Sequence, residues 1–188
     1  QVTLYESSDK LGGNMRLAAY PPGKGDITNM IRSYIVRCQK AGVTIKMNQE
    51  VTLDLIKEEK PDSVIVASGS RTLILPIEGI DNPAIIHGSD LLDGKRAAGK
   101  KVLVVGGGMV GCETAAFLGE QNHDVTVIEF RDTVGADVIH EHRVYLMKDF
   151  EDYGIKEITG AKVCKFYEDG VEYETADGQR PSAVSYST

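Results

Sequence analysis

Gly106, Gly108 and Gly111 lie in the stretch KKVLVVGGGMVGCETAAFLGEQNHDVTVIEF, which ends at the carboxylate Glu129 and Phe130. Residues of these types at this spacing can hold the pyrophosphate and ribose of a dinucleotide. Gly106 can take the tight turn out of a strand. Gly108, with no Cβ, lets the backbone come close to a phosphate. Gly111 lets the next helix pack tightly on the strand. The first turn of that helix aims free N–H groups and its positive dipole end at the anion. Glu129 sits where a carboxylate accepts hydrogen bonds from ribose hydroxyls. A carboxylate there repels a 2′-phosphate, which favours NAD over NADP. Arg131, two residues on, offers a cation that could bind that phosphate.

These residues need elements to position them, and the hydrophobic pattern supplies them. The apolar run Val102–Val105 leads straight into Gly106. A helical pattern follows, with Val110, Thr114, Phe117 and Leu118 expected on one side. A second apolar strand, Val125–Ile128, ends in Glu129. The whole is a strand–turn–helix–strand–acid unit of roughly 30 residues. A further helix is expected over Ala136–Tyr153, with Ile139, Leu146, Phe150 and Tyr153 on one face. Short strands at 155–159, 162–167 and 170–175 read as a small antiparallel meander, with turns at Gly170 and Asp177-Gly178. Ala183–Tyr186 could begin one more strand.

Upstream, Val2–Tyr5 reads as a strand ending in Glu6, and Tyr20–Gly25 as a loop. A helix is expected from Asp26, with Ile31, Tyr34, Ile35 and Cys38 at helical spacing. Val43, Ile45 and Met47 alternate as in a strand, and Val51–Ile56 reads as a short strand or helical turn. Ser63–Ala67 reads as a buried-type strand running into Ala67-Ser68-Gly69-Ser70. Residues 71–99 form a connector, with a short strand at Ile85–His87 and Ser89 as a helix cap. VTLYESSDKLGG at the start echoes VTVIEFRDTVGA around Glu129, as duplicated nucleotide-binding halves would.

With 188 residues, 41% hydrophobic and 26% charged, the chain has the composition of an ordinary globular protein of one domain, or one and a fraction. A net charge of −7 and the lack of a basic stripe argue against nucleic acid as a partner. The apolar runs are too short for a membrane span, and the opening QVTLYE has no signal-peptide character. Cys38, Cys112 and Cys164 form no Cys-x-x-Cys pair, which fits reduced thiols and a cytoplasmic location. A helix N-terminus can lower the Cys112 thiol, but a small residue at a close-packed turn is the simpler reading. His140 and His142 point to nearly opposite sides of a helix, so no metal site is expected there. Glu58-Glu59 and the acids at 149–152 read as solvated faces.

Together, Glu6…Leu11-Gly12-Gly13, Ala67-Ser68-Gly69 and Gly106-x-Gly108-x-x-Gly111-x-Glu113-x-Ala115 resemble the two-dinucleotide-binding flavoproteins. Within them, LGGNMRLAAYPPGKGDI and VIVASGSR…PIEGID are most similar to the C-terminal region of the NADH:flavin oxidoreductases of the 2,4-dienoyl-CoA reductase and 2-enoate reductase type. The resemblance implies that Glu6 binds the FAD ribose, that Gly12 and Gly13 lie beside the FAD, and that the Val51 backbone meets the adenine. It further implies that Ala67, Ser68 and Gly69 form the family's Ala-Thr-Gly turn, with Ser68 in place of Thr. Gly106, Gly108, Met109, Val110, Gly111 and Glu129 match the nicotinamide-nucleotide site, and Glu113 matches an acid on the helix behind it. A helix acid near the N-terminal dipole explains Glu113 as well. The disulfide-reductase branch fits poorly, because Asn14-Met15-Arg16-Leu17 stands where that branch carries a cysteine pair.

The expected fold is therefore α/β: a Rossmann-like parallel sheet with flanking helices and a small antiparallel meander, attached to a truncated FAD-type domain. Residues 1–99 are expected to be a partial FAD-binding domain without its glycine loop, plus connector. Residues 100–188 are expected to be a Rossmann-like NAD-binding domain, truncated at the C-terminus. The resemblance implies NAD and FAD as cofactors. FMN and an iron–sulfur cluster belong only to a preceding flavin barrel of the same chain, with which this region would work, and a homo-oligomer is possible. The function expected is passage of hydride from NADH to FAD and of electrons to FMN, for reduction of an activated carbon–carbon double bond. The alternative is a non-catalytic module that binds ADP or NAD.

Overall fold

The computed structural model describes residues 1–176, 178 and 179. The chain divides into two compact units, Gln1–Arg71 and Thr72–Thr188.

In the first unit, β1 (Thr3–Tyr5) and β2 (Thr44–Lys46) pair in parallel, with Leu4 opposite Ile45. Their crossover contains α1 (Asn14–Leu17) and α2 (Asp26–Lys40). Gly42, at positive φ, follows the last turn of α2, and the chain turns there into β2. The segment at Val51–Ile56 resolves as a helix, α3 (Leu53–Glu59), because the Thr52 hydroxyl caps it by accepting the Leu55 N–H at 3.2 Å. Glu59, expected on a solvated face, accepts from the Tyr5 hydroxyl at 2.8 Å and pairs with Lys46 at 3.2 Å. The strand expected at Ser63–Ala67 does not form, and Ile65 is 89% exposed. An apolar β-branched run becomes a strand only beside a ladder partner. The sheet here contains β1 and β2 alone.

The second unit begins with a connector. Ile85–His87 is irregular rather than a strand, and the short helix α4 (Gly88–Leu92) follows, with His87 at the N-cap and Ser89 inside the helix. The chain then runs β3 (Lys101–Val105), α5 (Met109–Glu120), β4 (Asp124–Ile128), α6 (His140–Asp152) and β5 (Lys156–Ile158). These strands make a parallel sheet in the order β3-β4-β5, with Val105 opposite Ile128 and Ile128 opposite Ile158. Only β6 (Ala161–Phe166) and β7 (Val171–Thr175) are antiparallel. The expected three-strand meander is thus a pair, because β5 takes the open edge of β4 after the crossover through α6. The residues at 180–188, including the possible strand at Ala183–Tyr186, and the Asp177 half of the Asp177-Gly178 turn lie outside the described residues.

Strand alternation divides the core. Val125 and Val127 face α5 and α6, packing with Cys112, Ala115, Ala116, Leu118, Leu146 and Phe150. Ile128 faces the other way, onto Ala161, Val163 and Val171. The sheet is covered on both faces, which explains the near-continuous apolar runs of β3 and β4. Two helix faces differ from expectation. Val110 is 62% exposed, and α5 is buried instead through Cys112, Thr114, Ala115, Ala116, Leu118 and Gly119. On α6, Leu146 and Phe150 are buried, whereas Ile139 is the exposed N-cap and the helix starts at His140 rather than Ala136. Residues 134–138 turn back toward the glycine loop, which delays that start. Among the described residues no helix is long and apolar enough to cross a membrane.

Candidate functional site

The loop between β3 and α5 is built around two close approaches. Gly106 leaves the strand at φ +102 and its N–H donates to the Ile128 carbonyl at 2.8 Å. A side chain at that φ is strained, so glycine is required. A Cβ on Gly111 would lie 1.8 Å from the Gly106 carbonyl oxygen. The third glycine thus lets the first turn of α5 lie against the strand exit. Gly107, not singled out from the pattern, is equally confined, since a Cβ there would meet Val134 at 2.9 Å and Glu129 at 3.0 Å. Gly108 is the N-cap of α5 and supplies no capping side chain.

Glu129 leaves β4 beside this loop. Its Oε2 accepts the Gly107 N–H at 2.5 Å and its Oε1 accepts the Arg131 N–H at 2.8 Å. Its backbone is fixed by the Ile158 carbonyl at 2.8 Å and the Ala161 N–H at 2.9 Å. An open cleft of about 160 Å³ lies against these groups, lined by Gly107, Gly108, Glu129, Arg131, Thr133, Ala136 and Asp137. The far wall is the loop from Arg131 to Ile139. It is tied down by the Gly135 N–H on the Gly107 carbonyl at 2.6 Å. The Arg143 guanidinium donates to Thr133 Oγ1 at 2.9 Å and to the Val134 carbonyl at 3.1 Å. Asp137 Oδ1 accepts the Met109 N–H at 2.9 Å. Thr133, Ala136 and Asp137 were missed in the sequence because they reach the cleft only through the folded return of an irregular segment, and Arg143 because it acts by holding that segment from α6. The nearest signal is Gly135, a glycine in the turn just after the strand-ending acid.

Met109 and Val110 open α5, both are exposed, and neither lines the cleft. Cys112 is fully buried and its thiol donates to the Gly107 carbonyl at 3.1 Å. Burial pushes that thiol up to about 11, outweighing any help from the helix terminus. Glu113 does not line the cleft. It is buried on α5 and bonded at 3.1 Å to His142 Nε2 of α6, so His142 is engaged while His140 is exposed.

In the first unit, Glu6 repeats part of the Glu129 arrangement. Its Oε1 accepts the Ser8 N–H at 2.7 Å, two residues on, as Glu129 accepts from Arg131. That backbone bond, with the Ser8 and Ser7 side chains, holds the Glu6 carboxyl below its ordinary value. Gly12 and Gly13 both have positive φ, and a Cβ on Gly12 would meet Ile31 at 3.0 Å. Asn14 Nδ2 donates to Ser70 Oγ at 2.9 Å, which brings the turn at Gly69 (φ +74) beside the Gly12-Gly13 loop. Ala67, Ser68 and Val51 are exposed.

Two features of the second unit suit a dinucleotide. Its glycine turn brings backbone to the cleft with no side chains of its own, and the α5 terminus already attracts an anionic oxygen. Residues 5–187 match the family described as pyridine nucleotide-disulphide oxidoreductase. Over 179 residues the chain is 32% identical to a bilirubin reductase of Mediterraneibacter gnavus, covering 95% of this chain and 28% of that protein. Over 185 residues it is 33% identical to an NADH oxidase of Thermoanaerobacter brockii, covering 96% and 28%. The solved structure of a 2-naphthoyl-CoA reductase in complex with 2-naphthoyl-CoA superposes with a TM-score of 0.92 at 33% identity, over 98% of this chain and 28% of that one. The chain thus spans little more than a quarter of the length of these relatives.

Proposed function

This chain belongs to the pyridine nucleotide-disulphide oxidoreductase family, and from that premise we propose that it is the nucleotide-binding portion of an NADH-dependent flavin oxidoreductase. The observation that carries the reading is the Gly106–Gly111 turn with a fixed Glu129 bonded beside it on one cleft. Bound NADH and FAD would supply the redox chemistry, with hydride passing from nicotinamide to flavin. The residues here bind and orient. The N–H groups at the start of α5 take the pyrophosphate, and Glu129, held by two backbone N–H groups, accepts from the ribose hydroxyls. The same carboxylate disfavours a 2′-phosphate, which selects NADH over NADPH.

In this reading residues 1–99 are part of the FAD-binding domain with its connector, and residues 100–188 are the NAD-binding domain. Glu6, Gly12, Gly13, Val51 and the Ala67-Ser68-Gly69 turn serve the flavin nucleotide. Gly106, Gly108, Met109, Val110, Gly111, Glu129 and Arg131 serve the nicotinamide nucleotide. The remaining length of the relatives supports a larger enzyme in which electrons continue to FMN in a flavin barrel carrying an iron–sulfur cluster. The bilirubin and 2-naphthoyl-CoA reductases among the relatives support an activated carbon–carbon double bond as acceptor. A cytoplasmic location follows from the reduced-thiol reading of its cysteines.

The test is rapid mixing of the full-length protein with NADH while the flavin absorbance is followed. Flavin bleaching faster with NADH than with NADPH is expected. NADH binding without any bleaching would support the non-catalytic nucleotide module instead.

A further inference from the structure

The phosphate-facing end of α5 carries an anion of the protein's own. Asp137 Oδ1 accepts the Met109 N–H at 2.9 Å, and a Cβ on Gly108 would lie 3.1 Å from Asp137 Oδ2. Gly108 provides no side-chain cap, so a carboxylate from a distant loop fills that role. The same carboxylate lines the cleft with Gly107, Gly108, Glu129 and Arg131. A phosphate bound at the start of α5 would want the same N–H and the same end of the helix dipole. Two anions in one cleft also repel.

Resting on the nucleotide-site reading above, we propose that Asp137 is a resident anion which must release the Met109 N–H before a dinucleotide pyrophosphate binds, and which thereby sets the affinity of the site. The loop around it suits that task. Val134 and Val138, on either side, are buried anchors, whereas Ala136 and Asp137 are exposed. Arg143 holds Thr133 and the Val134 carbonyl, and Gly135 holds Gly107. The side chain of Asp137 can therefore swing away while its loop stays in place. Arg131, on the same cleft, offers a cation for the displaced carboxylate or for the incoming phosphate.

The test is calorimetric titration of the 188-residue chain with NADH and, separately, with inorganic pyrophosphate. Wild type, Asp137→Asn and Asp137→Ala are compared, and thermal unfolding is recorded for each. Asp137→Asn keeps the shape and an acceptor for Met109 but removes the charge. It is expected to bind both probes about 10-fold more tightly than wild type, the scale of one charge-assisted hydrogen bond. A purely structural cap would leave Asp137→Asn like wild type and make Asp137→Ala less stable and weaker in binding. Equal or weaker binding by Asp137→Asn, with wild type binding NADH, overturns the inference and leaves the nucleotide site standing. Folded protein that binds no NADH in any of the three forms overturns the nucleotide-site reading and this inference with it.

Discussion

Glu129 holds one carboxylate oxygen against the glycine loop and the other against the backbone two residues on. A carboxylate has about four lone-pair positions, so both oxygens can still accept from hydroxyls. The side chain is already ordered, and little rotamer entropy remains to be lost when a ribose binds. Cys112, on the first turn of α5, shows how packing can override a local field. Its thiol is raised to about 11 by burial and is turned toward the Gly107 carbonyl. It should therefore stay unmodified by a disulfide reagent at about pH 8, while the partly exposed Cys38 and Cys164 react and denaturant releases the third thiol. Rapid labelling of Cys112 in the folded protein would contradict this. The glycines and Glu129 were legible because a turn, a close backbone approach and a strand-ending acid each demand one residue type at one spacing. Asp137 was not, because nothing local marks a carboxylate whose partner, Met109, lies on another element.

At the scale of elements, the parallel βαβ unit was legible from its periodicity, and the register of β3 on β4 follows from alternation of Val102, Leu103 and Val104 between the two core faces. The apolar run at 63–67 misled because strand character depends on a neighbouring ladder, which short-range pattern does not report. The place of β5 depended on the length of the crossover before it, and so on where α6 starts. Along α6, Asp149 has its carboxyl raised by burial and then by the nearby Asp152 and Glu120, against the opposing influence of His142 and Lys148. A carboxyl raised in the folded state costs stability when ionised, and the cost fades as pH falls toward its unfolded value of about 3.9. Asp149→Asn should therefore raise the urea midpoint at neutral pH, with a gain that shrinks as the solution is acidified. A lower midpoint at neutral pH would mean that Asp149 makes a stabilising interaction stronger than this cost.

On the scale of the whole molecule, two compact units each carry a parallel strand pair whose second or central strand is reached by a helical crossover. Glu6 and Glu129 end comparable strands and make the same bond to the N–H two residues on, so the echo in the sequence has a counterpart in geometry. The two halves differ in what stands beside the acid. Glu129 lies against a complete glycine turn, and Glu6 is bonded within its own Ser7-Ser8 turn. The most direct measurement is calorimetric titration of the purified protein, and of Glu129→Ala, with NADH and NADPH. Stoichiometric NADH binding, weaker NADPH binding and a loss of NADH affinity of about 10-fold or more in Glu129→Ala are expected. NADH binding indifferent to Glu129, or NADPH bound as tightly as NADH, would contradict this reading.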